Sequence, residues 1–126
     1  MKKVIASKNV AAAIGPYSHA IQGEGKFVFL SGQIALDPGT GQVVNGGIEA
    51  ETKQVMRNIE SLLKEIGATF DHVVKSTIFL KDLNDFTIVN QIYGASFRQN
   101  PPARSTVEVS RLPRDAKVEI ECIVCL

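Results

Sequence analysis

The chain has 126 residues, and fourteen basic side chains against thirteen acidic ones leave a formal net charge of +1. This length suits one domain, residues 1–126, that buries its core without disulfides or a structural metal, and the nearly neutral charge disfavours nucleic-acid binding. No apolar run approaches the roughly 20 residues of a membrane span, and no signal-peptide segment opens the sequence, so we expect a cytoplasmic protein without membrane partners.

The N-terminal half predicts a β-hairpin followed by a long helix. Residues 18–22 and 26–31 are β-type runs around Gly23-Glu24-Gly25, where glycine supplies the positive φ of a tight turn. The apolar stretch from Phe27 to Leu30 predicts a strand buried on both faces. Residues 48–66 then predict an amphipathic helix. Its apolar positions recur at three- and four-residue steps: Val55, Met56, Ile59, Leu62, Leu63 and Ile66.

The C-terminal half predicts a strand over residues 73–81, a second helix and two more strands. Asn84 or Asp85 can cap this helix, and Asn100-Pro101-Pro102 ends it. Its apolar face consists of Phe86, Val89, Tyr93 and Phe97. The predicted order is β-β-β-α-β-α-β-β, with residues 2–6 as a candidate for an additional short strand. Such a mixed sheet, with both helices on one face, leaves its other face uncovered and so favours an oligomer.

Two β-type runs near the C-terminus flank Leu112-Pro113, and each carries a charge where a strand normally places an apolar residue. These charges are Arg104 and Glu119. If the two strands are neighbours in the sheet, the two side chains lie within reach of each other. A guanidinium binds a carboxylate through two parallel hydrogen bonds, and a nearby carboxylate can orient or deprotonate a water. The pair therefore predicts a small site for a ligand that carries its own carboxylate.

Four motifs, in this order, resemble the RidA family, also called YjgF-type proteins or reactive-intermediate imine deaminases. The motifs are Ala13-Ile14-Gly15-Pro16-Tyr17-Ser18, Ser31-Gly32-Gln33-Ile34, Lys81-Asp82-Leu83-Asn84-Asp85-Phe86, and the PARST-VEV-x-x-LP-x-x-x-x-VEIE string that starts at Pro102. The resemblance covers essentially the whole chain. It implies an α+β, chorismate-mutase-like fold, with a mixed β-sheet of about six strands and two helices packed on one face. It also implies a homotrimer with sites in the clefts between subunits.

The resemblance also implies roles for individual residues. Arg104 would anchor the substrate carboxylate and Glu119 would hold the attacking water. From the residues alone, Arg104 is more typical of a surface ion pair, and Glu119 and Glu121 are compatible with a solvated strand face. Tyr17 would enter the cleft from the subunit neighbouring Arg104, although a core position also fits its sequence. The other residues implied to line the pocket are Ser31, Gly32, Phe86, Asn90 and Thr106.

Two positions depart from the family pattern. Thr106 stands where many relatives carry cysteine, so this position must act through its backbone or its small size rather than through sulfur. His19 replaces a frequent glutamine at the pocket rim. The two cysteines, Cys122 and Cys125, have an odd separation that directs them to opposite faces of a strand. We interpret them as packing residues rather than as a redox or zinc site, and we predict neither a metal nor a cofactor.

The function that the resemblance implies is hydrolytic deamination of reactive 2-imino acids or their enamine tautomers. Examples are 2-iminobutanoate and 2-iminopropanoate, which would yield 2-keto acids and ammonia. One alternative is an endoribonuclease that inhibits translation, an activity also attached to the family. The near-neutral charge and the small aromatic content, six Phe and two Tyr, disfavour it. Another is a non-catalytic regulatory trimer that binds a small carboxylate, for which a water-handling glutamate would be unnecessary.

Overall fold

The computed structural model describes residues 2–126, which contain six strands, two α-helices and three single-turn 3-10 helices. In chain order the strands and α-helices are β1 Lys2–Ile5, β2 Ala20–Gly23, β3 Phe27–Gln33, α1 Gly47–Glu65, β4 Val73–Leu80, α2 Phe86–Gly94, β5 Ala103–Glu108 and β6 Val118–Cys125. The α+β prediction is confirmed, and residues 2–5 do form the additional strand. No helix among residues 2–126 has the length and apolar character needed to cross a bilayer.

The six strands are divided between two sheets. β1 and β2 pair antiparallel by themselves, and the other four strands lie in the order β3-β6-β4-β5. The predicted hairpin between residues 18–22 and 26–31 is therefore wrong, because β2 pairs with β1 and β3 pairs with β6. β4 and β5 run parallel because α2 carries the chain back between them, whereas β6 is antiparallel to both β3 and β4. The mixed sheet is therefore confirmed. β4, not β5, is the neighbour of β6.

Both helices pack on one face of the four-stranded sheet. Most of the predicted stripe of α1 lies in the core, where Val55 and Leu63 have no exposed surface. Leu62 is the exception and is 36% exposed. α2 adds Val89 and Tyr93. Alternate residues of β4 and β6 complete the core from below, as a two-residue side-chain period requires: Ser76, Ile78, Leu80, Val118, Ile120, Cys122 and Val124.

The opposite face of this sheet is open and partly apolar. Phe27 and Phe29 of β3 are 48% and 72% exposed there, and Val107 of β5 is 44% exposed. The prediction that residues 27–30 are buried on both faces is wrong for the single chain. The helices cover only one side, so that only Val28 and Leu30 of this run pack against the core.

Candidate active site

Arg104 lies on β5, on the face of the sheet that the helices cover. Its register partner on β4 is Ser76, whose own partner on β6 is Cys122. Both of these residues are buried beneath the helices. Register partners on adjacent strands project to the same face. The Arg104 side chain therefore extends beneath α2.

Three aromatic rings surround the Arg104 guanidinium. Its Cζ lies 5.3 Å from the ring centroid of Tyr93 and 5.7 Å from those of Tyr17 and Phe86. Nη1 donates a hydrogen bond of 2.7 Å to Oδ1 of Asn90. Phe86, Asn90 and Tyr93 follow one another at steps of four and three residues, so one face of α2 presents all three to the guanidinium.

The charge of Arg104 has no counter-ion in the described part of the chain. The three ion pairs found within residues 2–126 are surface pairs between positions four apart, and none includes Arg104. Burial lowers the pKa of the guanidinium, and the nearby Tyr93 and Tyr17 oppose that shift. Arginine nonetheless stays protonated in proteins. The reading of Arg104 as a surface ion-pair partner is therefore wrong, and this half-buried cation is suited to an anionic ligand.

Tyr17 reaches Arg104 from the loop that precedes β2. Ser18 holds this loop against the start of β5: its amide donates to the Pro102 carbonyl at 3.1 Å, and its hydroxyl donates to the Pro101 carbonyl. Tyr17 therefore contacts the Arg104 of its own chain. The expectation that Tyr17 meets Arg104 from a neighbouring subunit is wrong for this pair.

Thr106 follows Arg104 on the same face of β5, roughly 7 Å further along the strand. Its hydroxyl oxygen is buried and has no hydrogen-bond partner within residues 2–126. A buried hydroxyl is normally satisfied, because an unpaired one costs about 1–3 kcal/mol. The sequence pattern indicated only a small side chain here, whereas the structure adds an unsatisfied polar group next to the guanidinium. Tyr17, Phe86, Asn90, Arg104 and Thr106 are called the Arg104 half-site below.

Glu119 lies on the other face of the sheet. Its neighbours in β6, Val118 and Ile120, have no exposed surface and project toward the helices, so Glu119 projects away from them. The hypothesis that the strands of Arg104 and Glu119 are adjacent is wrong. A crossover through α2 places β5 directly beside β4, and β6 pairs with the remaining edge of β4. Within one chain, the two charged groups lie on opposite faces of the sheet and on strands that are not adjacent.

Glu119 packs against the end of β3. A Cβ on Gly32 would lie 2.8 Å from Cδ of Glu119 and would overlap its Oε2, so the carboxylate occupies the space that any other side chain would fill. The register between β3 and β6 shifts between Leu30 and Gln33, which places Ser31 and Gly32 in an irregular segment. Ser31, Gly32 and Glu119 are called the Glu119 half-site below.

Gly32→Ala is expected to displace the Glu119 carboxylate while leaving the fold intact. The clash is with the end of a flexible side chain, which can rotate away. We expect turnover of an imine substrate to fall by about one to two orders of magnitude, since small displacements of a catalytic group have costs of that size. Steady-state kinetics and thermal unfolding of the same preparation measure both effects.

Gly39→Ala is the matched control for this experiment. An added Cβ there meets only a carboxylate oxygen, Oδ1 of Asp37 at 3.1 Å, and lies in a loop outside both half-sites. We expect it to retain normal turnover. Normal turnover in Gly32→Ala as well would mean that the position of Glu119 does not matter to catalysis.

A buried polar chain leads from the Arg104 half-site into the core. The Tyr93 hydroxyl donates to Oγ of Ser76 at 2.8 Å, and Ser76 Oγ lies 3.8 Å from Sγ of Cys122. Burial raises the pKa of the Cys122 thiol to about 11, which keeps it protonated and unreactive at neutral pH. Cys125 is also buried, and the two do not form a disulfide. The interpretation of both cysteines as packing residues is confirmed.

Tyr93 is the residue of this site that the sequence analysis missed. The periodicity of α2 assigned Tyr93 to the apolar face of the helix. This is correct for its ring, but it did not indicate that its hydroxyl makes a buried hydrogen bond. The available signal was its spacing from Phe86 and Asn90, two residues already assigned to the pocket. Within residues 2–126, no three His, Cys, Asp or Glu side chains form a cluster that could hold a metal ion.

Comparison with known proteins identifies the relatives of this chain. A family model described as Endoribonuclease L-PSP matches residues 7–126. The chain belongs to the RidA (YjgF) family. The assignment made from the four sequence motifs is thus confirmed. Within the RidA family, the 2-iminobutanoate/2-iminopropanoate deaminase of Mus musculus is 46% identical over 123 residues, which cover 98% of this chain and 90% of the mouse protein.

Solved RidA-family structures have the same fold. YyfA from Yersinia pestis, a member of the Rid protein family, is 48% identical with a TM-score of 0.77, and the match covers 100% of both chains. E. coli TdcF with bound serine is 35% identical with a TM-score of 0.76, and the match covers 98% of each chain. The proteins that this chain resembles thus include a named imine deaminase and a protein solved with a bound amino acid.

Proposed function

We propose that the protein hydrolyses reactive 2-imino acids, or their enamine tautomers, to 2-keto acids and ammonia. The observation that carries this proposal is the half-buried Arg104 guanidinium, which has no carboxylate partner within residues 2–126. A 2-imino acid has a carboxylate beside the reacting carbon, and a guanidinium binds this group through two parallel hydrogen bonds. Serine, which is bound to E. coli TdcF, also carries a carboxylate beside a carbon that bears nitrogen.

The second half of the pocket would come from another copy of the chain. Arg104 and Glu119 lie on opposite faces of the sheet, so a site that contains both needs two chains. The open face presents Phe27, Phe29 and Val107, and burial of such a surface between copies is favourable. We propose a homotrimer, the assembly that the family resemblance implies, with three equivalent pockets. Each pocket would join the Arg104 half-site of one subunit to the Glu119 half-site of the next.

The proposed reaction needs no covalent intermediate. Water adds to the imine carbon while the Glu119 carboxylate accepts one of its protons. Glu119 returns that proton to the nitrogen, which gives a neutral tetrahedral amino alcohol. The hydroxyl proton of this intermediate then passes through Glu119 to the nitrogen, the C–O bond becomes the keto C=O, and the C–N bond breaks to release ammonia. Arg104 fixes the carboxylate, and so the adjacent carbon, relative to the water. Imines hydrolyse spontaneously, so positioning of this kind is sufficient for acceleration.

Ammonia release from 2-iminobutanoate and 2-iminopropanoate is expected to be faster with the protein than without it. Both imines can be generated in situ by a pyridoxal-phosphate enzyme that eliminates water from threonine or serine, with a continuous assay for ammonia. The extra rate should rise in proportion to the concentration of added protein. A rate equal to spontaneous hydrolysis at every protein concentration would contradict the proposal.

RNA cleavage is a second candidate function, because the matching family model is described as an endoribonuclease. The same protein preparation should be incubated with end-labelled single-stranded RNA. The net charge of +1 and the enclosure of Tyr17, Phe86 and Tyr93 around an arginine offer little surface on which bases could stack, so we expect no cleavage. A purely regulatory carboxylate-binding trimer would instead bind 2-keto acids without hydrolysing imines, which the ammonia assay distinguishes.

A further inference from the structure

We propose that Tyr93 is a positioning residue for Arg104, and that Ser76 holds Tyr93 in the orientation this role requires. The ring of Tyr93 is the closest of the three to the guanidinium, with 5.3 Å between its centroid and Cζ. It is also the only one of the three that is fully buried, with 1% of its surface exposed. This inference rests on the proposed function, since it assigns a role in holding the carboxylate anchor.

Ser76 and Arg104 are register partners on the adjacent parallel strands β4 and β5. Tyr93 lies above both: its ring contacts the arginine, and its hydroxyl donates to Oγ of the serine at 2.8 Å. Ser76 has no exposed surface. The hydrogen bond thus fixes the position of Tyr93, a residue of α2, relative to Ser76, the register partner of Arg104.

A packing role alone does not account for this hydroxyl. A buried hydroxyl costs free energy unless it is bonded, and a phenylalanine beside an alanine would fill the same space without that cost. The Tyr93–Ser76 bond instead restricts where the ring can move. Because Asn90 engages only Nη1 of Arg104, the ring beside it limits the remaining freedom of the guanidinium. Two-pronged binding of a carboxylate depends on that restriction.

The test uses three variants: Tyr93→Phe, Ser76→Ala and the double variant. Each single change leaves one buried polar group without its partner, so both should lower thermal stability. The double variant removes both groups and should regain most of that loss. Affinity for 2-oxobutanoate, the expected product, should behave differently. We expect its Kd to rise about three- to tenfold in all three variants, including the double variant, because none of them retains the bond that fixes the ring.

A second measurement does not depend on the proposed reaction. The Nε–H resonance of Arg104, assigned by its loss in Arg104→Lys, should exchange with water about tenfold faster in each variant than in the wild type. Val28→Ala is the control, since Val28 packs against the core from β3, which β6 and β4 separate from the strand of Arg104. We expect it to lower stability while leaving both the Kd and the exchange rate unchanged.

The outcomes separate the two proposals. If the Kd and the Nε–H exchange return to wild-type values in the double variant together with its stability, Tyr93 has only a packing role and the inference is overturned. If exchange accelerates in all three variants but the wild type does not hydrolyse imines, the proposed function fails and the positioning role stands. Unchanged exchange in every variant would overturn the positioning role even if the protein is an active deaminase.

Discussion

Arg104→Lys is expected to abolish imine hydrolysis while the fold and the assembly stay intact. Lysine keeps the positive charge but cannot bind a carboxylate with two parallel donors while it also donates to Asn90. Loss of one partner from a partly buried charge pair costs about 2–5 kcal/mol, so we expect kcat/KM to fall by about one and a half to three and a half orders of magnitude. Ammonia release measures the effect, and size-exclusion chromatography checks the assembly.

Arg111→Lys serves as the control for charge and side-chain length. Arg111 pairs with Asp115 at 2.9 Å on the surface, where both side chains are about three-quarters exposed. Exposed pairs of this kind contribute little, so turnover should not change. Near-normal turnover in an assembled Arg104→Lys protein would remove the role of Arg104 as the carboxylate anchor.

Two inactive variants, Arg104→Ala and Glu119→Gln, are expected to restore activity when their subunits exchange. A pocket is complete when Arg104 comes from a Glu119→Gln chain and Glu119 comes from the adjacent Arg104→Ala chain. In randomly mixed equal amounts, about a quarter of the pockets in a closed ring meet that condition, so activity should recover to about a quarter of the wild-type rate. Mild denaturation followed by refolding of the mixture permits the exchange.

A mixture of Arg104→Ala and Tyr17→Ala is the informative control, because Tyr17 contacts Arg104 within one chain. No pocket in that mixture has both groups intact, and activity should stay at the level of the separate variants. Recovery in this control would place Tyr17 and Arg104 in different subunits. No recovery in the first mixture, despite exchange shown by differently tagged chains, would contradict a pocket shared between subunits.

The elements of the fold could be predicted from the sequence because they depend on local periodicity. The stripe of α1 and the alternation in β6 each reveal which side faces the core, and Glu119 was correctly directed away from it. β5 is different. Its core-side positions at the pocket are Arg104 and Thr106, both polar, and no pattern of hydrophobic residues could indicate their face.

The order of the strands in the sheet also could not be predicted from the sequence. Residues fifteen apart, such as Arg104 and Glu119, fit two neighbouring strands as well as two strands separated by a third. The actual order depends on β4, which precedes β5 and β6 in the chain and pairs with each of them. The burial of residues 27–30 depended similarly on what covers the far side of the sheet, which is a property of the assembly rather than of the segment. Local patterns carry no information about such distant pairings.

The placement of Arg104 and Glu119 on opposite faces of one sheet has a consequence for the amount of active protein in a cell. On the proposed assembly, a newly made chain has no complete pocket until it meets other copies, so the number of pockets follows the law of mass action. Below the concentration at which subunits associate, halving the number of chains would remove more than half of the pockets. Catalytic capacity would then fall more steeply than abundance.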